Sequence, residues 1–440
     1  MTPIRHFSLV SLGCPKNRVD SEHILAVMSR AGFVFVEEPS RADVLIVNTC
    51  AFIESAVEES IDAILDYRDL NREAVLVVAG CLPLRYGDDL RASLREADIF
   101  LKPEEIPQIP QRLGSLAPLA QPTADEAFPC SYTAVPQRVL TTPGYAYLKI
   151  ADGCSRKCAY CTIPSIRGPL RSRDLEAVDR EARMLASQGV RELVLVAQDL
   201  TGYRTDAGEG RGLVRLLERL RVVQGIEWIR LMYLHPHGIP SDLAAVINES
   251  RTILPYLDIP FQHVSEKVLK AMGRPWKHDR TRRLVDGLRN DVPGLVLRTT
   301  LMVGFPGEGD KEFTELKDFV QSSSIEHVGV FTYSPEEGTP AMALGDPVPA
   351  ETKAARADEL RNLHLESEEK RNRGRVGSIE RCIVEGVSEE SDLLLQGRTW
   401  DQAPEVDGVL YITEGVASAG EIRDIELTDC NGPDLFGEIR

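Results

Sequence analysis

The chain has 440 residues, 43% of them hydrophobic and 27% charged, which suits a soluble globular protein of about three domains. A formal charge of −17 argues against a general nucleic-acid binder, whose affinity would rest on a basic footprint. No apolar run approaches the ~18–20 residues of a membrane-spanning helix. Nine cysteines, an odd number spread over the whole length, read as ligands in a reducing compartment rather than as a disulfide framework. The run Phe7–Leu12 before Cys14 is too short for a secretory or lipoprotein signal, so the expected location is cytoplasmic.

Residues 1 to about 115 alternate strand and helix signals. Apolar runs over Phe7–Leu12, 43–50 and 74–81 read as strands. Periodic stretches over 17–30, stopped by Gly32, and over 54–70 read as helices. Cys14, Cys50 and Cys81 each stand just past one of these strands. In a parallel α/β sheet the carboxyl ends of the strands share one edge, and ligands bind there. Three cysteines 36 and 31 residues apart can therefore meet on one cluster, leaving one iron open. Incidental core thiols are the plain alternative. Asn17 and Asn48 stand beside them, either as hydrogen-bonding groups near the sulfurs or as turn and cap residues. Residues 115–140 are rich in proline, lack periodicity and read as a linker, with Cys130 in it as a non-ligand thiol.

After the strand signal Tyr145–Ile150 and the turn Asp152-Gly153 comes Cys154-Ser-Arg-Lys-Cys158-Ala-Tyr160-Cys161. Three thiols cannot all pair with one another. A closed zinc site would be four-coordinate, and no fourth ligand stands nearby. An iron–sulfur cluster on three cysteines leaves one iron open for a small molecule, and this reading leads over zinc and over a metal-free loop. A basic loop follows (Arg167, Arg171, Arg173), then further strand signals at 192–199, 228–235, 257–263, 295–304 and 328–333, interleaved with helices. Six βα-like units suit an open, partial (β/α)6 barrel whose strand ends form the active-site rim. The polar rim candidates are Gln198, Asp199, His235, His263, Arg298 and Thr299. For the two histidines a satisfied structural hydrogen bond is the simpler role. A charged helical stretch over 349–373 then acts as a connector. From Gly374 the pattern changes to four short strands (378–384, 393–397, 408–412, 420–427) separated by glycine-containing turns, with Cys382 and Cys430 as structural thiols. Five basic and fifteen acidic residues over 374–440 give 5 − 15 = −10. Such a surface is expected to repel a phosphate backbone and attract a basic protein, with a merely soluble surface as the plain alternative.

The CxxxCxxC loop after a strand resembles the radical S-adenosylmethionine enzymes. Leu12-Gly-Cys-Pro-Lys-Asn17, Val47-Asn-Thr-Cys50 and Ala79-Gly-Cys81 resemble the N-terminal domain of methylthiotransferases, and the terminal short-strand region resembles a TRAM domain. The resemblance implies an α/β chain in four parts: a flavodoxin-like parallel domain at 1–116, a linker at 117–139, a TIM-like radical-SAM barrel with its connecting helix at 140–373, and a small all-β OB-like TRAM barrel at 374–440. It implies two 4Fe–4S clusters, one on Cys154, Cys158 and Cys161 and one on Cys14, Cys50 and Cys81. S-adenosylmethionine would be both radical source and methyl donor, with contacts expected from Tyr160, Gln198, Asp199, Arg298, Thr299, Gly304, Phe305 and Pro306. Gly304-Phe-Pro-Gly307 is expected to approach the adenine closely. The Gly-Gly-Glu-Pro-like element of many radical enzymes is absent, and Gln198–Tyr203 occupies its place. Segments 196–203, 232–236 and 256–263 resemble the protein-modifying branch, whose substrate is the β-carbon of an aspartate in small-subunit ribosomal protein S-twelve. The alternatives are methylthiolation of tRNA adenosine and a non-enzymatic iron–sulfur scaffold that binds ribosomes. The donors of sulfur and electrons are left unspecified, and no membrane partner is expected.

Overall fold

A computed structural model describes residues 5–116, 133–135, 138–205, 211–277 and 279–440; Cys130 and most of the expected linker lie outside the described residues. The chain divides into two compact units. One is Met1–Thr142 with Thr162–Pro169, the other Pro143–Cys161 with Leu170–Arg440.

The first unit is built on a five-stranded parallel sheet: β1 (His6–Ser11), β2 (Val34–Phe35), β3 (Val44–Thr49), β4 (Val75–Gly80) and β5 (Ile99–Leu101), in the order β2-β1-β3-β4-β5. This is the flavodoxin-like order, with its topological switch between β1 and β3. Helices α1 (Pro15–Arg30), α2 (Glu54–Leu70) and α3 (Cys81–Ser93) complete the layers. The unbroken apolar run of β3 is buried at every residue, as a strand covered on both faces requires. One cluster gathers Phe7, Ile24, Met28 and Val77, and another gathers Leu45, Ile64, Leu76 and Val78. The second cluster also includes Ile166, so the segment after the CxxxCxxC loop is held by apolar burial in this unit. The buried Glu22 of α1 pairs with Arg138 and accepts hydrogen bonds from the Thr141 N–H and hydroxyl, which ties down the chain after the short strand Arg138–Leu140. Strands β2 and β5, two and three residues long, are too short to show a pattern in the sequence.

The second unit contains six parallel strands, Tyr145–Lys149, Glu192–Val196, Trp228–Leu231, Ile253–Asp258, Val296–Val303 and His327–Thr332, neighbouring one another in chain order. The fourth strand lies earlier than the 257–263 expected from the sequence. It ends at Asp258 because Pro260 has no N–H to give the ladder, so His263 sits in the following loop. After the connector helix Ala350–Arg373 comes a closed barrel of five strands rather than four. The additional strand, Asp434–Ile439, pairs parallel with Leu410–Glu414 and antiparallel with Ile422–Asn431, and this closure removes the free sheet edges. Cys382 and Cys430 lie in its apolar core with Val384, Leu410 and Leu427. Burial pushes the Cys382 thiol up to about 12.

One residue from each of the six central strands joins a polar network that reaches the C-terminal barrel. The Arg398 Nη2 donates to Glu192 Oε2 at 2.7 Å, and Glu192 Oε1 accepts from Arg230 Nε at 2.7 Å. Asp407 accepts from the Tyr256 hydroxyl (2.7 Å) and from Arg298 Nε (3.2 Å), and the Tyr145 hydroxyl donates to Glu405 at 3.2 Å. Both ring nitrogens of His327 face acceptors: Nδ1 lies 3.1 Å from Glu368 Oε1, and Nε2 lies 2.8 Å from the Asp401 carbonyl. Two acceptors call for two N–H donors, that is, the imidazolium. Burial opposes that charge, but Asp407 and Glu368 outweigh it, and His327 titrates above its usual 6.5. Burial likewise opposes the Glu368 charge, yet His327 and His364 hold its carboxyl down to about 2. The stabilisation from this pair is therefore complete between about pH 4.5 and 6.5. It fades as pH rises through the raised histidine value or falls toward that of the glutamate. His327→Gln is expected to destabilise the protein by about 2 kcal/mol at pH 6, with a deficit that shrinks at pH 9.5. Thermal unfolding of parent and variant at the two pH values measures it.

Candidate active site

At the carboxyl edge of the first sheet, Cys14 precedes α1, Cys50 follows β3 directly and Cys81 opens α3. Two glycines permit the crowding. Gly13 has φ +92°, and a Cβ there would stand 2.7 Å from the Cys50 Cβ and 2.9 Å from its Sγ. Gly80 has φ +97°, and its Cβ would stand 2.5 Å from Asn48 Oδ1. Only glycine takes such backbone at no steric cost, so the turns can close on one another. Asn17 Nδ2 donates to the carbonyls of Leu12 (3.0 Å) and Thr49 (2.8 Å), and Asn48 Nδ2 donates to the Asn17 carbonyl and Ser21 Oγ, each at 2.8 Å. The amide groups of both asparagines thus brace the turns that carry the cysteines. Arg167, buried to 4% exposure, donates from Nη2 to Cys81 Sγ at 3.1 Å and to Asn17 Oδ1 at 2.9 Å, while its Nη1 lies 3.5 Å from Asp20 Oδ2. Burial, with the Cys14 and Cys81 charges adding to it, pushes the Cys50 thiol up to about 11. Burial also raises Cys81, against the pull of Arg167. The three sulfurs thus lie within electrostatic reach of one another.

In the second unit the Cys154–Cys161 loop follows the first barrel strand and is pinned from several sides. Ala159 N–H donates to the Met272 carbonyl and Ala341 N–H to the Ala159 carbonyl, each at 2.8 Å. Gly273 at φ +70° lets the chain pass the loop, since a Cβ would stand 2.5 Å from the Lys157 carbonyl. The Arg156 N–H donates to Cys154 Sγ at 3.4 Å, and its guanidinium donates to Asp199 Oδ2 (2.7 Å) and Thr201 Oγ1 (3.1 Å). Arg274, next in the chain to Gly273, donates from Nε to Cys158 Sγ at 3.2 Å and from Nη1 to the Pro260 carbonyl at 2.6 Å. Tyr160 packs edge-on against Phe305 (6.3 Å), which packs against Tyr333 (4.9 Å), so an aromatic wall backs the loop.

The remaining rim candidates fall into different settings. Gln198 Nε2 donates to Asp152 at 3.1 Å, and its Oε1 is buried with no partner among the described residues. The Asp199 carboxylate is taken up by Arg156 and Thr201. Arg298 is held by Asp258 and Asp407, and the Thr299 hydroxyl donates to the Ile259 carbonyl while accepting from the Phe261 N–H. Gly304 makes its close approach to a lysine: a Cβ there would stand 2.3 Å from Lys353 Cγ, and Pro306 is buried beside it. His263 Nδ1 accepts from the Val264 and Ser265 N–H groups, and its Nε2 faces Glu308 at 3.2 Å. Burial first, then Arg274 and Arg156, lowers His235 to about 2, which keeps it neutral. Arg274, Gly273 and the left-handed backbones of Tyr233 (φ 62°) and Gln262 (φ 70°) carry no signal in the sequence beyond lying near rim segments.

The donor chemistry at both sites fits an iron–sulfur cluster. Each offers three soft sulfurs, no described cysteine is in a disulfide, and an arginine donates to one sulfur at each. Among the described residues no three Cys, His, Asp or Glu side chains draw together tightly enough to hold a single ion. A cluster needs wider spacing, because each cysteine binds a different iron. Gly13→Ala is expected to destabilise the first unit by about 1–3 kcal/mol through backbone strain and the clash with Cys50. Urea denaturation against the parent measures the loss.

Comparison with known proteins covers nearly the whole chain. Residues 6–102 match Uncharacterized protein family UPF0004, residues 148–320 the Radical SAM superfamily and residues 376–439 the TRAM domain. A protein of Pelobacter propionicus named ribosomal protein uS12 methylthiotransferase RimO is 44% identical over 98% of this chain and 97% of its own. Proteins of the same name from Geobacter sulfurreducens and Bdellovibrio bacteriovorus are each 43% identical, over 98% and 99% of this chain and 98% and 97% of theirs. Among solved structures, the radical S-adenosylmethionine methyltransferase TsrM of Kitasatospora setae, with cobalamin and a 4Fe–4S cluster bound, shares the fold. Its TM-score is 0.56, at 16% identity over 77% of each chain. Among the described residues no helix is long and apolar enough to cross a membrane.

Proposed function

The chain belongs to the family of ribosomal protein uS12 methylthiotransferases named RimO, and on that premise we propose how its two cysteine sites share one reaction. The protein is a radical S-adenosylmethionine enzyme that methylthiolates the β-carbon of an aspartate in ribosomal protein uS12. In this reading Cys154, Cys158 and Cys161 hold one 4Fe–4S cluster, and Cys14, Cys50 and Cys81 hold a second. When bound, the two groups supply one-electron cleavage of S-adenosylmethionine at the first site and a place to carry sulfur at the second.

The chain's own residues do the rest. Asp199 fixes Arg156 and through it the turn around Cys154, while Arg274 donates to Cys158 and locks the loop against Pro260. Tyr160, Phe305 and Tyr333 pack into an apolar wall that keeps water from one side of the loop. Tyr160, Gln198, Phe305 and Pro306 are assigned to bind S-adenosylmethionine; the uncommitted Oε1 of Gln198 supports this. Asp199 and Gly304 act by shaping the site, and Arg298 and Thr299 by holding the strand that leads to it. The exposed acids of the C-terminal barrel, among them Glu389, Glu390, Asp392, Glu414, Asp424 and Asp429, suit the approach of a basic ribosomal protein and disfavour a phosphate backbone.

The observation that carries this reading is end-to-end kinship in a chain that also holds two separate sets of three cysteines. Reconstituted enzyme incubated with S-adenosylmethionine, reductant and either uS12 or tRNA is expected to add the mass of a methylthio group to the protein alone. Addition to tRNA and not to uS12 overturns the reading. Cys50→Ala is expected to abolish methylthiolation while leaving measurable deoxyadenosine formation. Complete loss of that formation in a folded variant that still binds iron at the other loop speaks against separate roles.

A further inference from the structure

We infer that Arg167 is a positioning residue that sets the reduction potential of the N-terminal cysteine site. The inference rests on that site holding a cluster, as argued above. Arg167 stands six positions after Cys161 in sequence, yet it packs within the first unit, where Ile166 anchors its segment in the apolar core. One nitrogen, Nη2, carries two hydrogens, and both are used: one on Cys81 Sγ at 3.1 Å and one on Asn17 Oδ1 at 2.9 Å. Asn17 in turn grips the turn before Cys14 and the end of β3, next to Cys50, through Leu12 and Thr49. A single guanidinium therefore touches one ligand sulfur directly and braces the turns of the other two.

The setting makes this cation count. Arg167 and Asp20 are both almost fully buried, so solvent screens their charges poorly. Hydrogen bonds to ligand sulfur and nearby positive charge favour the reduced, more negative form of an iron–sulfur centre and raise its potential. The anion 3.5 Å away on Asp20 moderates the effect. Arginine suits the task better than lysine, because its planar fork holds sulfur and amide oxygen together and keeps its charge when buried.

The test uses the full-length chain with Cys154, Cys158 and Cys161 replaced by alanine, reconstituted with iron and sulfide, so that any cluster signal comes from the N-terminal site. Iron content, electron paramagnetic resonance and a redox titration are read together. Arg167→Gln is expected to keep the iron and move the midpoint potential in the negative direction, and Arg167→Lys to fall between it and the parent. Asp20→Asn, which leaves the cation without its moderating anion, is expected to move the potential in the positive direction. An unchanged potential in iron-loaded Arg167→Gln overturns the role of Arg167. Should that variant fail to load, Asp20→Asn decides: a positive shift supports the inference, and no shift or a negative one overturns it. If the parent triple variant itself binds no iron, the two-cluster reading falls and this inference with it.

Discussion

Cysteines on three separate turns can approach one another only where the backbones have room to close in, and glycines at the strand ends give that room here. Cys14, Cys50 and Cys81 come from three turns that converge only because Gly13 and Gly80 lack a Cβ at positions where one would stand under 3 Å from its neighbours. Gly273 does the same for the loop that carries Cys158. The parallel sheets put these turns on one edge, because every strand of each sheet points the same way. Asn17, Asn48, Arg156 and Arg274 then lock the turns with hydrogen bonds to backbone and sulfur.

The second constraint is burial of charge. Glu192, Arg398, Asp407, Arg298 and His327 lie almost entirely out of water. Desolvation of each is costly, and mutual pairing offsets it only while every member is present. Such a network adds little net stability, but it penalises any other arrangement of the C-terminal barrel against the strands it meets. It also alters the meaning of that barrel's acidity. Glu380, Glu385, Asp401, Glu405 and Asp407 are engaged in internal bonds, Glu421, Glu426 and Glu438 pair with arginines of the barrel, and the exposed Glu389, Glu390, Asp392, Glu414 and Asp424 form the outward field.

Much of this was legible in the residues. Apolar runs without alternation mark strands covered on both faces, and the cysteines after three of them mark the edge where a site can form. What failed was short or interrupted. Strands β2 and β5 are too brief to show a period, Asp434–Ile439 follows a Gly-Pro turn and was not expected, and Pro260 stopped a strand that hydrophobicity alone would have continued. At the rim, residue type suggests Arg298 and Thr299 as cofactor contacts; only the fold shows that Arg298 Nε and Nη1 also meet Asp407 and Asp258, and that the Thr299 hydroxyl bonds to Ile259 and Phe261.

By itself the sequence determined the class of chemistry, because six cysteines at fixed spacings relative to strands and loops are a local pattern. Tertiary structure alone decided which cations serve those sulfurs and where the acids of the terminal barrel point. Arg167 and Cys81 are 86 residues apart, Arg274 and Cys158 are 116 apart, and Arg398 and Glu192 are 206 apart. No periodicity spans such separations. Each pair is selected by the packing of side chains in a dry interior, where a buried charge must find its partner or the fold is lost.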